Sequence, residues 1–208
     1  MENNKKIDFN SELRRKLIHL SSIWIPIGYY FVSKPAGIIL SLLGMLTMIE
    51  IDYLKKSNKN FGNFYNKYLG SVLRTEEKNF RKKTYTGGTY MAIGVFITVF
   101  FFEKSIAVGA LTVMIICDSL SAIVGKSIGR IKIFNKTLEG SLTFFLSGLP
   151  LVLFVFPRIS AFPQEVYAGI IALFITTIIE VIPFKIDDNI LIPVSYGFFY
   201  TLLFTLIL

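Results

Sequence analysis

Apolar stretches long enough to cross a bilayer recur along this chain, and short basic segments separate them. Seven stand out, at roughly 17–33, 35–54, 87–102, 105–124, 139–157, 164–184 and 190–208. A membrane helix needs about 17–25 mainly apolar residues, because the hydrocarbon core is about 30 Å thick. The third stretch is short by that measure. Within hydrocarbon every backbone polar group must be satisfied internally, so such stretches fold as helices. Mean hydropathy of +0.59 is too high for an ordinary soluble domain. The expected fold is all-α: a polytopic integral membrane protein of about seven transmembrane helices, forming one domain over 1–208. Pro35, Gly87-Gly88, Pro157, Pro163 and Pro183 punctuate the span ends, where the backbone can leave the helix.

The net charge of +8 is no nucleic-acid signal here, because the cations sit in short segments between apolar runs. Nineteen of the 22 Lys and Arg fall in the N-terminus and in the second, fourth and sixth loops. Only Lys34, Lys104 and Arg158 fall on the other side. Positive charge stays inside, so the N-terminus is expected in the cytoplasm. Residues 1–16, the loop 55–86 and the loop 125–138 then share that side. The first apolar run follows a basic start as in a signal peptide, but no small-x-small cleavage site follows, and it reads as retained. In the loop 55–86, Phe61, Phe64, Tyr65, Tyr68 and Leu69 recur at helical intervals beside Lys59, Lys67 and Arg74. That pattern suits a helix lying in the interface on anionic lipid, and also a solvated connector. Cys117 is the only cysteine, which excludes an intramolecular disulfide.

Glu50, Asp118 and Glu180 lie towards the cytoplasmic ends of their spans, and Asp52, Asp187 and Asp188 lie just outside on the same side. Acids at this depth are costly unless paired. Interfacial pairing with nearby cations is one reading. The other is Mg2+-dependent phosphoryl chemistry, because Mg2+ takes oxygen ligands and bridges to phosphate.

The stretch "ICDSLSAIVGKSIGRIKIFNKTLEGSL", residues 116–142, concentrates both signs. If the helix runs through 129, then Asp118, Ala122, Gly125 and Gly129 share one face. Ser121, Gly125 and Gly129 also make a small-xxx-small helix-packing pattern. Lys126, Arg130, Lys132 and Lys136 follow, residue types that hold phosphate oxygens by charge and hydrogen bond. Thr137 is placed to cap a helix starting near Leu138, and Glu139 stands three residues after Lys136. The G-x-x-x-x-G-K-[ST] pattern of a Walker A site is absent.

Near the start, "ELRRKLIHL" puts Glu12, Arg15, Lys16 and His19 on one helical face. His19 is the only histidine, at the cytoplasmic edge beside cations, where phosphate contact or proton transfer is in reach. Arg81, Lys82 and Lys83 precede the Gly87-Gly88 pair, whose amides suit a nucleotide or simply a flexible entry to the third span.

These motifs resemble those of the polyprenol kinase family, which includes dolichol kinases, phytol kinases and CTP-dependent diacylglycerol kinases. "ELRRKLIHL" is similar to the family's opening. "CDSLSAIVGKSIGRIKIFNKTLEGS" resembles its nucleotide signature, and "EVIPFKIDDNILIP" its late acid-plus-D-D-N-x-x-x-P element. The same core pattern occurs in the related CDP-diacylglycerol synthases, but their longer basic stretch with S-P is missing before Lys136. The resemblance implies a membrane-embedded lipid kinase domain. It implies transfer of the γ-phosphoryl group of CTP, with Mg2+, to a lipid alcohol at the cytoplasmic face. The membrane would be the inner membrane of a bacterium or the endoplasmic reticulum of a eukaryote. Asp118, Lys136, Glu139, His19 and Asp188 would be catalytic. Arg15, Lys16, Arg81, Gly87, Ser121, Ala122, Gly125, Lys126, Gly129, Arg130, Lys132 and Thr137 would bind nucleotide. Asp118, Glu139, Glu180, Asp187 and Asp188 would hold the metal. A CDP-lipid-forming cytidylyltransferase and a transporter are the competing readings; the sequence has no internal repeat of the transporter kind.

Overall fold

The computed structural model describes residues 9–70, 73, 85–155 and 164–207. The expected site residue Arg81, together with Lys82, Lys83, Arg74, Pro157, Arg158 and Pro163, lies outside them. The described chain is helical apart from one small hairpin. In order it forms α1 (Phe9–Ser21), α2 (Trp24–Phe31), α3 (Lys34–Ser57), α4 (Lys59–Leu69), α5 (Gly87–Phe101) and α6 (Lys104–Ser127). Strands β1 (Lys132–Ile133) and β2 (Lys136–Thr137) follow, then α7 (Leu138–Pro150), α8 (Gln164–Val181) and α9 (Asp188–Ile207).

Among the described residues, five helices are long and apolar enough to cross a membrane: α3, α6, α7 with its extension to Val155, α8 and α9. The third expected span is the shorter apolar helix α5. The first is not one helix but two, α1 and α2, and its sequence explains the break. The Ser21 and Ser22 hydroxyls bond the Ile18 carbonyl, a local alternative to the helix ladder. Pro26 has no N–H to give, and the turn closes instead through Ile25 N–H on the Ser22 carbonyl. Pro150 has a comparable effect in α7, which widens into a π-helical turn over Leu151–Val155.

The axis of the molecule is α6. Ala107, Ala110, Leu111, Val113, Met114, Ile115 and Cys117 are fully enclosed, and α6 packs against α1, α2, α5, α7 and α9. At the periphery α3 turns Ile39, Leu40, Leu43 and Leu46 outwards, as a helix does when its solvent is lipid. The late turns of α6 and α8 and the first turns of α5, α7 and α9 all meet at one end of the bundle, and the polar residues gather there.

Candidate active site

Asp118 lies in the second half of α6, buried, with Lys16 of α1 donating to its Oδ2 at 2.5 Å. His19, one turn further along α1, holds Nε2 3.8 Å from the same oxygen and 3.4 Å from the Met114 carbonyl. Glu180 comes from the end of α8 and Asp188 from the start of α9. One ligand oxygen from each of Asp118, Glu180 and Asp188 lies within 4.8 Å of the others. Lys136 of β2 donates to Glu180 and, at 2.9 Å, to Asp188. The second oxygen of Glu180 is buried, with no hydrogen-bond partner among the described residues. Three oxygen donors from three elements and an unspent carboxylate oxygen suit a hard cation such as Mg2+.

Lys136 is held there by a tight turn. Lys132 pairs with Thr137 and Ile133 with Lys136, which leaves Phe134 and Asn135 as the loop. Phe134 takes a φ of 52°, the left-handed region that a bulky residue rarely adopts. The strain places Asn135 on the pocket wall and turns the Phe134 ring to the outside. Thr137 then ends the hairpin and caps α7, accepting from Gly140 N–H at 3.2 Å. Burial alone would lower the affinity of Lys136 for its proton, but the carboxylates of Glu180 and Asp188 outweigh it and raise its pKa. It is a fixed cation.

Lys16, Asp118, Asn135, Lys136, Glu180 and Asp188 line a polar pocket of about 220 Å³, together with Arg15, Ser121, Ala122, Gly125, Lys126, Thr137, Gly140 and Ser141, while His19 borders the neighbouring cavity. Arg15 also lines a second cavity, of about 640 Å³ and mainly apolar. That cavity runs between α2, α3 and α5, past Met45, Met48, Met91 and Val95. It follows α3 from Gly37 to Met48, a length of about 16 Å on a helix rising 1.5 Å per residue. His19, Thr86, Gly87, Gly88 and Asn189 mark its polar end.

Several expected site residues stand elsewhere. The Glu139 carboxylate is spent on backbone, accepting from Arg130 N–H at 2.8 Å and Ile131 N–H at 3.2 Å, so it braces the loop after α6. Asp187 likewise accepts from the backbone and side-chain amides of Asn189, outside the carboxylate trio. Exposed Arg130 and Lys132 do not line the polar pocket, and Gly87 borders the apolar cavity instead. Helix α6 stops at Ser127, before Gly129. A Cβ on Gly129 would meet Thr137 at 2.6 Å, and one on Gly125 would meet it at 2.8 Å. Both glycines therefore let the hairpin and α7 close onto α6, which is the packing role of the small-residue stripe. Glu50 is exposed. Asp52 belongs to a separate knot, where its Oδ2 accepts from Thr86 N–H at 2.7 Å and from the Thr89 hydroxyl at 2.7 Å.

Sequence reasoning passed over Asn135, Gly140, Ser141 and the site role of Glu12. Glu12 is buried, pairs with Arg15 and reaches Lys126 at 2.9 Å, which ties both cations to the pocket rim. The signal was present: Glu12 shares the face of Arg15, Lys16 and His19.

No family model matches this chain, and no solved structure matches it. It is 29% identical over 202 residues to an uncharacterized protein of Rickettsia prowazekii, covering 92% of this chain and 94% of that one. It is 29% identical over 143 residues to the CTP-dependent diacylglycerol kinase 1 of Schizosaccharomyces pombe, covering 66% of this chain and 64% of that protein. The corresponding kinase of Eremothecium gossypii is 25% identical over 143 residues, covering 66% and 44%. The chain thus spans less than two thirds of either kinase. The likeness to these two kinases is distant.

Proposed function

We propose that this protein is a CTP-dependent kinase of the polyprenol kinase family, which moves the γ-phosphoryl group of CTP to the hydroxyl of a membrane lipid alcohol. The observation that carries this reading is the junction at Arg15. There a polar pocket with carboxylates and cations meets an apolar cavity the length of a lipid tail. The likeness to two fungal CTP-dependent diacylglycerol kinases supports the nucleotide and the acceptor class.

In this reading the lipid tail lies along α3 and α5, with its hydroxyl at the polar end beside His19. The triphosphate lies in the polar pocket, where Lys16, Lys126 and Lys136 offset its charge and Arg15 holds the γ-phosphoryl oxygens at the junction. Bound Mg2+, held by Asp118, Glu180 and Asp188, would add Lewis-acid stabilisation of the phosphate oxygens. The lipid oxygen attacks the γ-phosphorus, the bond to the β–γ bridging oxygen breaks, and its electron pair leaves with CDP. The hydroxyl proton passes to the His19 imidazole, which the Met114 carbonyl and Asp118 orient. The site would face the cytoplasm.

Purified protein with Mg2+ and lipid alcohols tests this directly. Label from γ-labelled CTP is expected in the lipid product, and label from α-labelled CTP is not. Transfer of the α-label into lipid would instead make the protein a cytidylyltransferase.

A further inference from the structure

We propose that α4 rests on the anionic surface of the membrane and forms the wall past which the lipid acceptor enters the apolar cavity. Helix α3 is 24 residues long, and a single residue separates it from α4. That residue, Asn58, serves both helices: its N–H bonds the Leu54 carbonyl to end α3, and its side chain accepts from Asn60 and Phe61 N–H to start α4. The second helix therefore leaves the first where the span reaches the membrane surface.

The two sides of α4 differ. On one, Tyr65 and Leu69 line the apolar cavity, and the Lys55 ammonium stands 5.0 Å over the Tyr65 ring. On the other, Phe64 and Tyr68 pack as a ring pair 4.8 Å apart, and they are 60% and 64% exposed. Exposed Lys67 stands beside them, its ammonium 5.9 Å from the Tyr68 ring, and exposed Lys59 opens the helix. Exposed rings interleaved with lysines complement an anionic headgroup layer, which takes rings below the phosphates and ammonium groups among them. The same helix that touches the membrane thus also bounds the polar end of the cavity. The entry role rests on the lipid-acceptor reading of that cavity; the membrane contact does not.

Fluorescence separates the two. Trp24 is the sole tryptophan, so the full chain carrying Trp24→Phe and Phe64→Trp reports from α4 alone. Reconstituted in phosphatidylcholine–phosphatidylglycerol vesicles, its emission is expected to be quenched by lipids brominated near the headgroup and only weakly by aqueous iodide. Adding Lys59→Glu and Lys67→Glu is expected to weaken the lipid quenching. Quenching by iodide alone would show α4 facing water. Shielding from both quenchers would show another protein surface or a second copy covering it. Either result overturns the proposal. For entry, Phe64→Glu with Tyr68→Glu is expected to raise the KM for a long-chain lipid alcohol about tenfold, with kcat and the nucleotide KM unchanged. An unchanged lipid KM overturns the entry role. If the unaltered chain phosphorylates no lipid alcohol, the proposed function and the entry role fall together, while the quenching result stands by itself.

Discussion

At the scale of single residues, the site is built from charges that cancel in pairs and triads. Asp118 is enclosed with Lys16 on its Oδ2, and Glu180 and Asp188 share Lys136. Asp118→Asn is expected to cut turnover about 100–1,000-fold, the usual cost of one lost electrostatic stabiliser. The melting temperature should shift far less, because the amide keeps the shape of the carboxylate. Near-normal turnover in steady-state assays would make Asp118 a structural ion-pair partner only. Glu12 permits a prediction about pH. Burial alone would raise its pKa, but Arg15 and Lys126 outweigh burial and hold the carboxyl below the usual glutamate range. A group with a depressed folded pKa contributes stability above its unfolded value, near 4.5, and loses it as pH falls through the folded value. Thermal stability followed from pH 7 to pH 3 should therefore fall less steeply in Glu12→Gln than in the unaltered protein.

At the scale of elements, the parts that sequence revealed were those set by local chemistry. Thr137 caps α7 because a threonine side chain can reach the N–H of the third residue on, and that is readable from the order of residues alone. The ends of α6 and α8 and the start of α9 were legible to within a few residues, so Asp118, Glu180 and Asp188 were expected at one face, but so were Glu50, Asp52 and Asp187, which stand apart from the trio. What sequence did not carry was the partner across the fold. Lys136 reaches Glu180 over 44 residues, and Glu139 looked like its neighbour in chemistry while serving the backbone of Arg130 and Ile131. The α1–α2 break was also missed, because hydropathy registers Ser21, Ser22 and Pro26 as minor interruptions. The apolar cavity was invisible, being a space between helices. Two of its lining glycines, Gly28 and Gly44, have open space for at least 4 Å around the point where a Cβ would stand. Gly44→Leu is therefore expected to fill the cavity without a clash, leaving the melting temperature nearly unchanged. Its KM should rise steeply for long-chain alcohols and little for short ones, measured across a chain-length series. Equal effects at every length would place the tail elsewhere.

At the scale of the whole molecule, every group in the polar pocket sits at one end of the bundle, and among the described residues Lys126 and Lys136 of the basic stretch after α6 line it. In the proposed orientation, with the stretch after α6 cytoplasmic, a cysteine at position 132 in a Cys117→Ser background is expected to resist membrane-impermeant reagent added outside sealed cells, and to react once the cells are opened. Labelling from the outside would reverse the orientation. The fold itself buries α6 and leaves α3 largely to lipid, so stability is concentrated in the axis that carries Asp118. On the proposed function, the flank lined by α2, α3 and α5 would exchange the lipid tail with the bilayer.

The cavity runs about half the hydrocarbon thickness, and among the described residues its polar end is the one marked by His19, Thr86 and Asn189. A tail threaded into it must point its hydroxyl towards that end. Only alcohols already standing in the adjoining leaflet have that polarity. An alcohol in the far leaflet would have to cross the bilayer before it could react, and the charged product could not readily cross back. On the proposed function, phosphorylation would be a sorting step: it would withdraw a freely flipping lipid from both leaflets and fix it in one, so that membrane asymmetry would follow from the direction in which one pocket opens.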